Sequence, residues 1–227
     1  MTSTYKPAGL AIHILEDIPA LFSHPNTRKI TQAFTGKKFM CKLPGGQLYF
    51  DSKLALDSDG SPVYSAQDGT GQVHTAVKDA AGNDLDADVI NYFVLPGGFW
   101  AGQGIAKGDV GVVINGIQMA FACFGDVGPS GSLGEGSISL HRELGHETIR
   151  NRHTATGGTM INRGLDKDVI TIVFPGSGNG RGRTNAESAA IGGPLFQHLK
   201  LEAFAYRQQA EQFAQKMRQL FIPKILR

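Results

Sequence analysis

Two carboxylates stand nine residues apart in a glycine-rich run, Gly125-Asp126-Val127-Gly128-Pro129-Ser130-Gly131-Ser132-Leu133-Gly134-Glu135-Gly136-Ser137. Glycines lie on both sides of each, so a polymer and the backbone can approach closely. Such a pair can break a glycosidic bond: one carboxyl gives a proton to the leaving oxygen, the other activates water. A separation of roughly 6.5–9.5 Å between them marks inversion at the sugar carbon. The acid needs a raised pKa, from burial or from the neighbouring negative charge. Acidic residues in glycine-rich loops also serve as caps and turn formers, and the spacing by itself does not choose.

Other chemistries fit less well. Gly176-Ser177-Gly178-Asn179-Gly180-Arg181-Gly182 follows an apolar run but matches neither phosphate-binding pattern, so it reads as a mobile loop or a rim facing a ligand. His141 and His146 are five positions apart and diverge by about 140° on a helix, which argues against a zinc helix. They read as solvated or hydrogen-bonded surface groups. Gly134-Glu135-Gly136-Ser137-Ile138 lacks the serine at the centre of a nucleophile elbow. Cys41 and Cys123 are two thiols that could bridge, although buried, unpaired cysteines are the commoner case. No metal and no organic cofactor is expected.

The chain has 227 residues, length for one sizeable core and perhaps an appendage. Its net charge of +2 hides an asymmetry: Asp51 to Glu135 holds eleven acidic residues against three lysines and no arginine. An acidic middle argues against a nucleic-acid groove there and suits a cationic ligand, unless folding scatters these charges over the surface. The apolar runs Val110–Ile114 and Val169–Phe174 are far short of the ~20 residues that span a bilayer, so no membrane partner is expected. Met1 to Pro7 lacks the basic-then-apolar order of a secretory leader, which leaves the compartment open.

The elements that must position the carboxylates are mostly strands. Phe39–Leu43, Gln47–Leu56, Val89–Leu95, Asp109–Ile114, Gln118–Phe124 and Val169–Phe174 are apolar or alternating runs bounded by Gly, Pro, Asn or Asp. Asn115-Gly116 predicts a two-residue type I′ turn and hence a hairpin over Asp109–Phe124. Asp126 then ends a strand, and Glu135 sits in a loop at the mouth of a helix over Ser137–Leu144. Residues 8–22 carry a weak strand or helix signal in Ile12, Ile14, Ile18 and Leu21 around Pro19. Phe196, Leu199, Ala203, Tyr206, Ala210, Phe213, Met217 and Leu220 repeat every three or four residues, a stripe on a long helix. It would pack on the body of the protein, or serve a second copy or a docked partner.

From Gln47 to Gly178 the chain resembles the glycoside hydrolase family 75 chitosanases. The resemblance rests on Asp57-Ser58-Asp59-Gly60, Tyr92-Phe93-Val94-Leu95-Pro96, Gly108-Asp109-Val110, Phe124-Gly125-Asp126-Val127-Gly128-Pro129, Gly134-Glu135-Gly136-Ser137-Ile138 and Val173-Phe174-Pro175-Gly176-Ser177. It implies endo-hydrolysis of β-1,4 linkages in chitosan or a related amino-sugar polymer, with Asp126 and Glu135 as the essential carboxylates, Glu135 taken as acid and Asp126 as base. Asp57 and Asp59 become candidate ligands for substrate ammonium groups, and Tyr92 and Trp100 candidate sugar-stacking rings. The chain departs from the family's Asp-rich stretch at Lys53, Ala55 and Ser58, which leaves a peptidoglycan hydrolase or lytic transglycosylase, or an expansin-like binding module, as rival readings. Similarity of the Gly-Asp-x-Gly-Pro unit to double-psi β-barrel proteins implies a mainly β fold: a six-stranded double-psi-like β-barrel over residues 1–184, with a short helix after the catalytic loop. A long amphipathic helix then occupies residues 185–227 as an extension.

Overall fold

The computed structural model describes residues 5–7, 11–66, 71–150, 160–161 and 164–225. Met1 to Thr4, residues 8–10 and the side chains of Ile12 and Leu220 lie outside the described residues. The chain runs through α1 (Ala11–Leu15), a 3-10 turn at Ile18–Ser23, β1 (Arg28–Lys29), β2 (Lys37–Lys42), β3 (Leu48–Asp57), β4 (Tyr92–Pro96), β5 (Val110–Asn115) and β6 (Gln118–Gly128). It continues through β7 (Glu135–Ser137), α2 (Ile138–Glu143), β8 (Ile149–Arg150), β9 (Met160–Ile161), β10 (Leu165–Phe174) and α3 (Asn185–Ile225).

Six strands close on themselves in the order β3-β10-β5-β6-β4-β7, with β7 pairing back to β3. This is the mainly β barrel that the resemblance implies, with α2 following the carboxylate-bearing segment and α3 ending the fold. The β4–β6 and β3–β7 pairings are parallel; the other barrel pairings are antiparallel. Side chains alternate between the two faces of each strand. Phe50, Leu54, Phe93, Leu95, Val113, Phe124 and Val173 fill the barrel. On the outer wall Tyr49, Val112, Ile114, Ile170 and Ile172 form a second cluster with Leu15, Ile18, Leu21, Phe196, Leu199 and Ala203. Apolar cover on both faces is why Val110–Ile114 and Val169–Phe174 read as unbroken apolar runs.

The hairpin of β5 and β6 forms as expected, but with a different turn. Asn115 pairs with Gln118, so the two central residues are Gly116 and Ile117, and only Gly116 has positive φ, at 60°. Glycine first in the loop is the type II′ arrangement, which twists the strands as the type I′ turn would. Both cysteines are free and buried. Cys41 belongs to the outer cluster under α3 and Cys123 to a third cluster, with Val77, Leu85, Tyr92, Val94 and Ile138, beneath the carboxylates.

Candidate active site

Val94 is the common neighbour of both carboxylates: it pairs with Asp126 across β4–β6 and with Glu135 across β4–β7. Directly paired residues share a face of the sheet. Phe93 and Phe124 point into the barrel, so Asp126 and Glu135 stand on its outside, astride Val94. A β-bulge makes this possible. Phe93 pairs with Phe124 and Val94 with Asp126, which leaves Gly125 as the extra residue in β6. Without it Asp126 would face the apolar interior. A Cβ at position 125 would overlap Cβ of Tyr92, so the bulge needs glycine. Gly134, at φ 81°, delivers the chain into β7 where a Cβ would overlap the Lys53 carbonyl. Across the groove, a Cβ on Gly128 would come within 3.0 Å of Glu135 Oε2.

Two further carboxylates arrive from the end of β3. Asp57 Oδ1 accepts a hydrogen bond from the Asp59 backbone N–H at 2.8 Å, and Asp59 Oδ1 accepts one from Gln72 N–H at 2.6 Å. Asp126 Oδ1 accepts two, from Ala76 N–H at 2.8 Å and Val127 N–H at 2.7 Å. The segment from Gln72 to Ala76 therefore clamps Asp59 and Asp126 together. Beneath them Tyr92 is fully buried, and its hydroxyl donates to the Asp59 carbonyl at 2.9 Å. Asp57, Asp59, Asp126 and Glu135, with Leu56, Gln72, Val94, Val127, Gly128 and Pro129, line a cleft of about 410 Å³.

The electrostatics follow from crowding like charges out of water. Burial pushes the Asp57 carboxyl up to about 8, with the charges of Asp59, Glu135 and Asp126 adding to it and the Asp59 N–H opposing it. Asp126 is also raised by burial, against the pull of the Ala76 and Val127 N–H groups, the Asp59 side chain and the charge of Lys107. One oxygen each of Asp57, Asp59 and Asp126 lies within 4.8 Å of the others. That spacing leaves room between the three for a single cationic group.

Several expectations are corrected. Glu135 lies not in a loop but at the start of β7, and Asp126 lies within β6, which continues to Gly128. Tyr92 offers no ring face to a sugar, because it is buried under the site. Trp100 lies outside the cleft, half-buried and packed edge-on against Phe124 at 5.5 Å. His141 is fully buried, with its two ring nitrogens against the carbonyls of Ser137 at 2.9 Å and Leu54 at 3.0 Å, so it joins α2 to β3. The Gly176–Gly182 run is strapped down: Gly176 and Gly178 N–H groups donate to buried Asp109, and Gly182 N–H donates to the Lys78 carbonyl. A cleft of about 490 Å³ lies beside it, between Asp79–Ile90 and Arg181–Glu187. Its Asp79 and Asp84 are occupied by local backbone N–H groups, Lys78 and His74. The roles of Gly125, Gln72, Ala76 and Val94 carry no composition or spacing signal; they appear only once the strands are paired.

A family model described as fungal chitosanase of glycosyl hydrolase group 75 matches residues 54–202, a stretch that includes all four cleft carboxylates. No curated protein matches the chain.

Proposed function

The chain belongs to the fungal chitosanases of glycosyl hydrolase group 75, and from that premise we propose that it cuts internal β-1,4 linkages of chitosan with inversion, using Asp126 and Glu135. Membership makes it a glycosidase with a polysaccharide substrate. In the proposed reaction Glu135 gives its proton to the leaving sugar oxygen as the bond to the anomeric carbon breaks. Asp126 takes a proton from the water that attacks that carbon from the other face. Solvent then returns a proton to Glu135 and takes one from Asp126, which restores both groups. The scheme calls on neither a metal nor an organic cofactor.

The observation that carries this reading is the shared face of Asp126 and Glu135 on either side of Val94. Two strand spacings of about 4.8 Å separate their backbones by ~9.6 Å, room for a sugar linkage and a water between the carboxyl groups. The role of base for Asp126 is supported by its two main-chain N–H bonds, which favour the ionised form and leave Oδ2 for water. Glu135 is only half-buried, on the lip opposite Gly128. Asp59 and Asp126 turn carboxyl oxygens to one side of the cleft, where a glucosamine ammonium group would bind.

Chitosan oligomers incubated with the chain should release reducing ends that are first seen as the α-anomer by proton NMR. Asp126→Asn and Glu135→Gln should each lower kcat by about 10²–10⁴-fold while leaving Tm nearly unchanged. An initial β-anomer would exclude inversion. Turnover of murein but not chitosan would overturn the substrate, and persistent activity in both variants would remove the two roles.

A further inference from the structure

The glycine-rich run Gly176–Gly182 lies outside the cleft, yet it braces the turn that leads into β5. Gly178 N–H donates to Asp109 Oδ1 at 2.6 Å, and Gly176 N–H donates to Oδ2 at 3.2 Å, the oxygen that also accepts from Ala106 N–H at 2.8 Å. Gly180 N–H donates to the Lys107 carbonyl at 3.1 Å. A Cβ on Gly108 would overlap the Arg181 carbonyl, so turn and run touch backbone to backbone. The backbone of Lys107 is thereby fixed, and its side chain reaches Ala76, where Nζ donates to the carbonyl at 2.9 Å. Ala76 is the residue whose N–H holds Asp126 Oδ1 at 2.8 Å. Its neighbours are held separately by Asp84, whose Oδ1 accepts from Thr75 N–H at 2.6 Å and pairs with Lys78, while Oδ2 meets His74 Nδ1 at 3.0 Å. Asp84 thus fixes the path of this segment, and Lys107 meets the residue of it that touches Asp126. Two hydrogen bonds and one residue separate the ammonium from the carboxylate, a span of roughly 9 Å or less. The other groups around Asp126 are Asp57 and Asp59 from the end of β3, Tyr92 from β4 and Glu135 from β7. Against these acidic groups Lys107 supplies positive charge.

Resting on the chitosanase reading, we propose that Lys107 is a positioning residue for the base: seated on the Ala76 carbonyl, its ammonium keeps the Ala76 N–H on Asp126 Oδ1 and brings the positive charge that favours an ionised Asp126 among neighbouring carboxyl groups. A carboxylate that activates water must be free of its proton at working pH, and burial beside other acidic groups works against that. Lys107 acts through the Ala76 backbone and through its field. Its effect is greatest at acid pH, where Asp126 competes least well against protonation.

The test compares the full chain with Lys107→Met and Lys107→Arg, using initial rates on soluble glucosamine oligomers over about pH 3 to pH 7. The lower limb of kcat/KM reports the base in the free enzyme. In Lys107→Met its midpoint should move up by about half to one pH unit, because losing a cation at this range makes a carboxylate easier to protonate. About one pH unit below the parent midpoint, kcat/KM should fall about 3–10-fold, while the plateau changes by less than about threefold. Lys107→Arg, which keeps the charge and a donor for the Ala76 carbonyl, should restore the parent midpoint. A purely structural role would lower the rate equally at every pH and leave the midpoint in place. A second readout needs no turnover: carbon-13 NMR of the aspartate carboxyls, with the Asp126 signal identified by its loss in Asp126→Asn, should show the same upward move in Lys107→Met and its reversal in Lys107→Arg. An Asp126 midpoint that stays in place in Lys107→Met, or that moves equally in Lys107→Arg, overturns the role. If the parent cleaves glucosamine oligomers in that case, the hydrolase reading stands and only the role of Lys107 falls. A parent without turnover fails the hydrolase reading on its own measurement, and the carboxyl titration still decides Lys107.

Discussion

Asp57 sits where a carboxylate is hardest to keep charged: six per cent exposed, at the edge of the barrel, with three other carboxylates facing it. Burial and those neighbours lift it from an ordinary value of 3.8 to about 8. Its neutral form is therefore the one the fold accommodates. The sign of the effect on stability is set by this. A carboxyl whose proton affinity rises on folding contributes fully below its unfolded pKa, and the contribution fades as pH climbs through the folded value. Wild-type stability should fall between about pH 4 and pH 8 through this group. Asp57→Asn keeps a neutral group of the same shape with an acceptor for the Asp59 N–H. Calorimetry at a series of pH values should find the variant close to wild type near pH 4 and increasingly more stable above it, by on the order of a few kcal/mol by pH 8. A Tm difference that stays level across the range would show that Asp57 titrates as an ordinary carboxylate.

The elements turn these residues into a site through one bulge and one very short strand. Gly125 reverses the facing of everything after it in β6, and β7 closes the barrel with three residues while carrying Glu135. Gly125→Ala should destabilise the chain by about 2–4 kcal/mol, because the new methyl group meets Tyr92 in a packed wall. It should lower turnover as well by moving Asp126. Gly128→Ala, which adds a methyl group at contact distance from Glu135, should lower kcat with a smaller loss of Tm. Equal effects of the two on stability would show that the bulge is not a point of strain. The bulge also explains what the sequence could and could not reveal. The strands of the β5–β6 hairpin are legible because neighbours in sequence pair, and the helix at Ile138 is legible from its Ser137 cap, which accepts from Leu140 N–H. The closing contacts of β7 with β3 and β4 join residues about 80 and 40 positions apart, and no local periodicity encodes them. Asp126, Glu135, Asp57 and Asp59 could be named from their motifs, but their convergence could not. Tyr92 and Trp100 show why stacking rings are not legible: an aromatic in a β-rich chain has the same local signature whether it stacks on a sugar or fills a core.

At the scale of the whole molecule, α3 divides the stripe read from the sequence into two halves with different environments. Phe196, Leu199 and Ala203 are buried against the barrel's outer wall, and Gly192 lets the helix approach Phe121 and Val110. Tyr206 is half-buried, and Lys200 and Arg207 form ion pairs with Glu16 and Asp17 at 2.6 Å. Beyond this point Ala210 and Phe213 are exposed, Phe213 at 66%. The first part of the helix thus completes the barrel's outer core. Leu199→Ala should therefore cost about 2–5 kcal/mol, as expected for a buried leucine. Truncation after Gln208 removes a segment whose described side chains, those of residues 209–219, are exposed or half-buried, and should leave Tm within a degree or two, with chitosan turnover intact. A large loss of Tm on truncation would mean that the distal half is covered in solution, by a second copy or by another partner. Sedimentation of the full and shortened chains would then separate these cases, since a second copy leaves a dimer that dissociates on truncation.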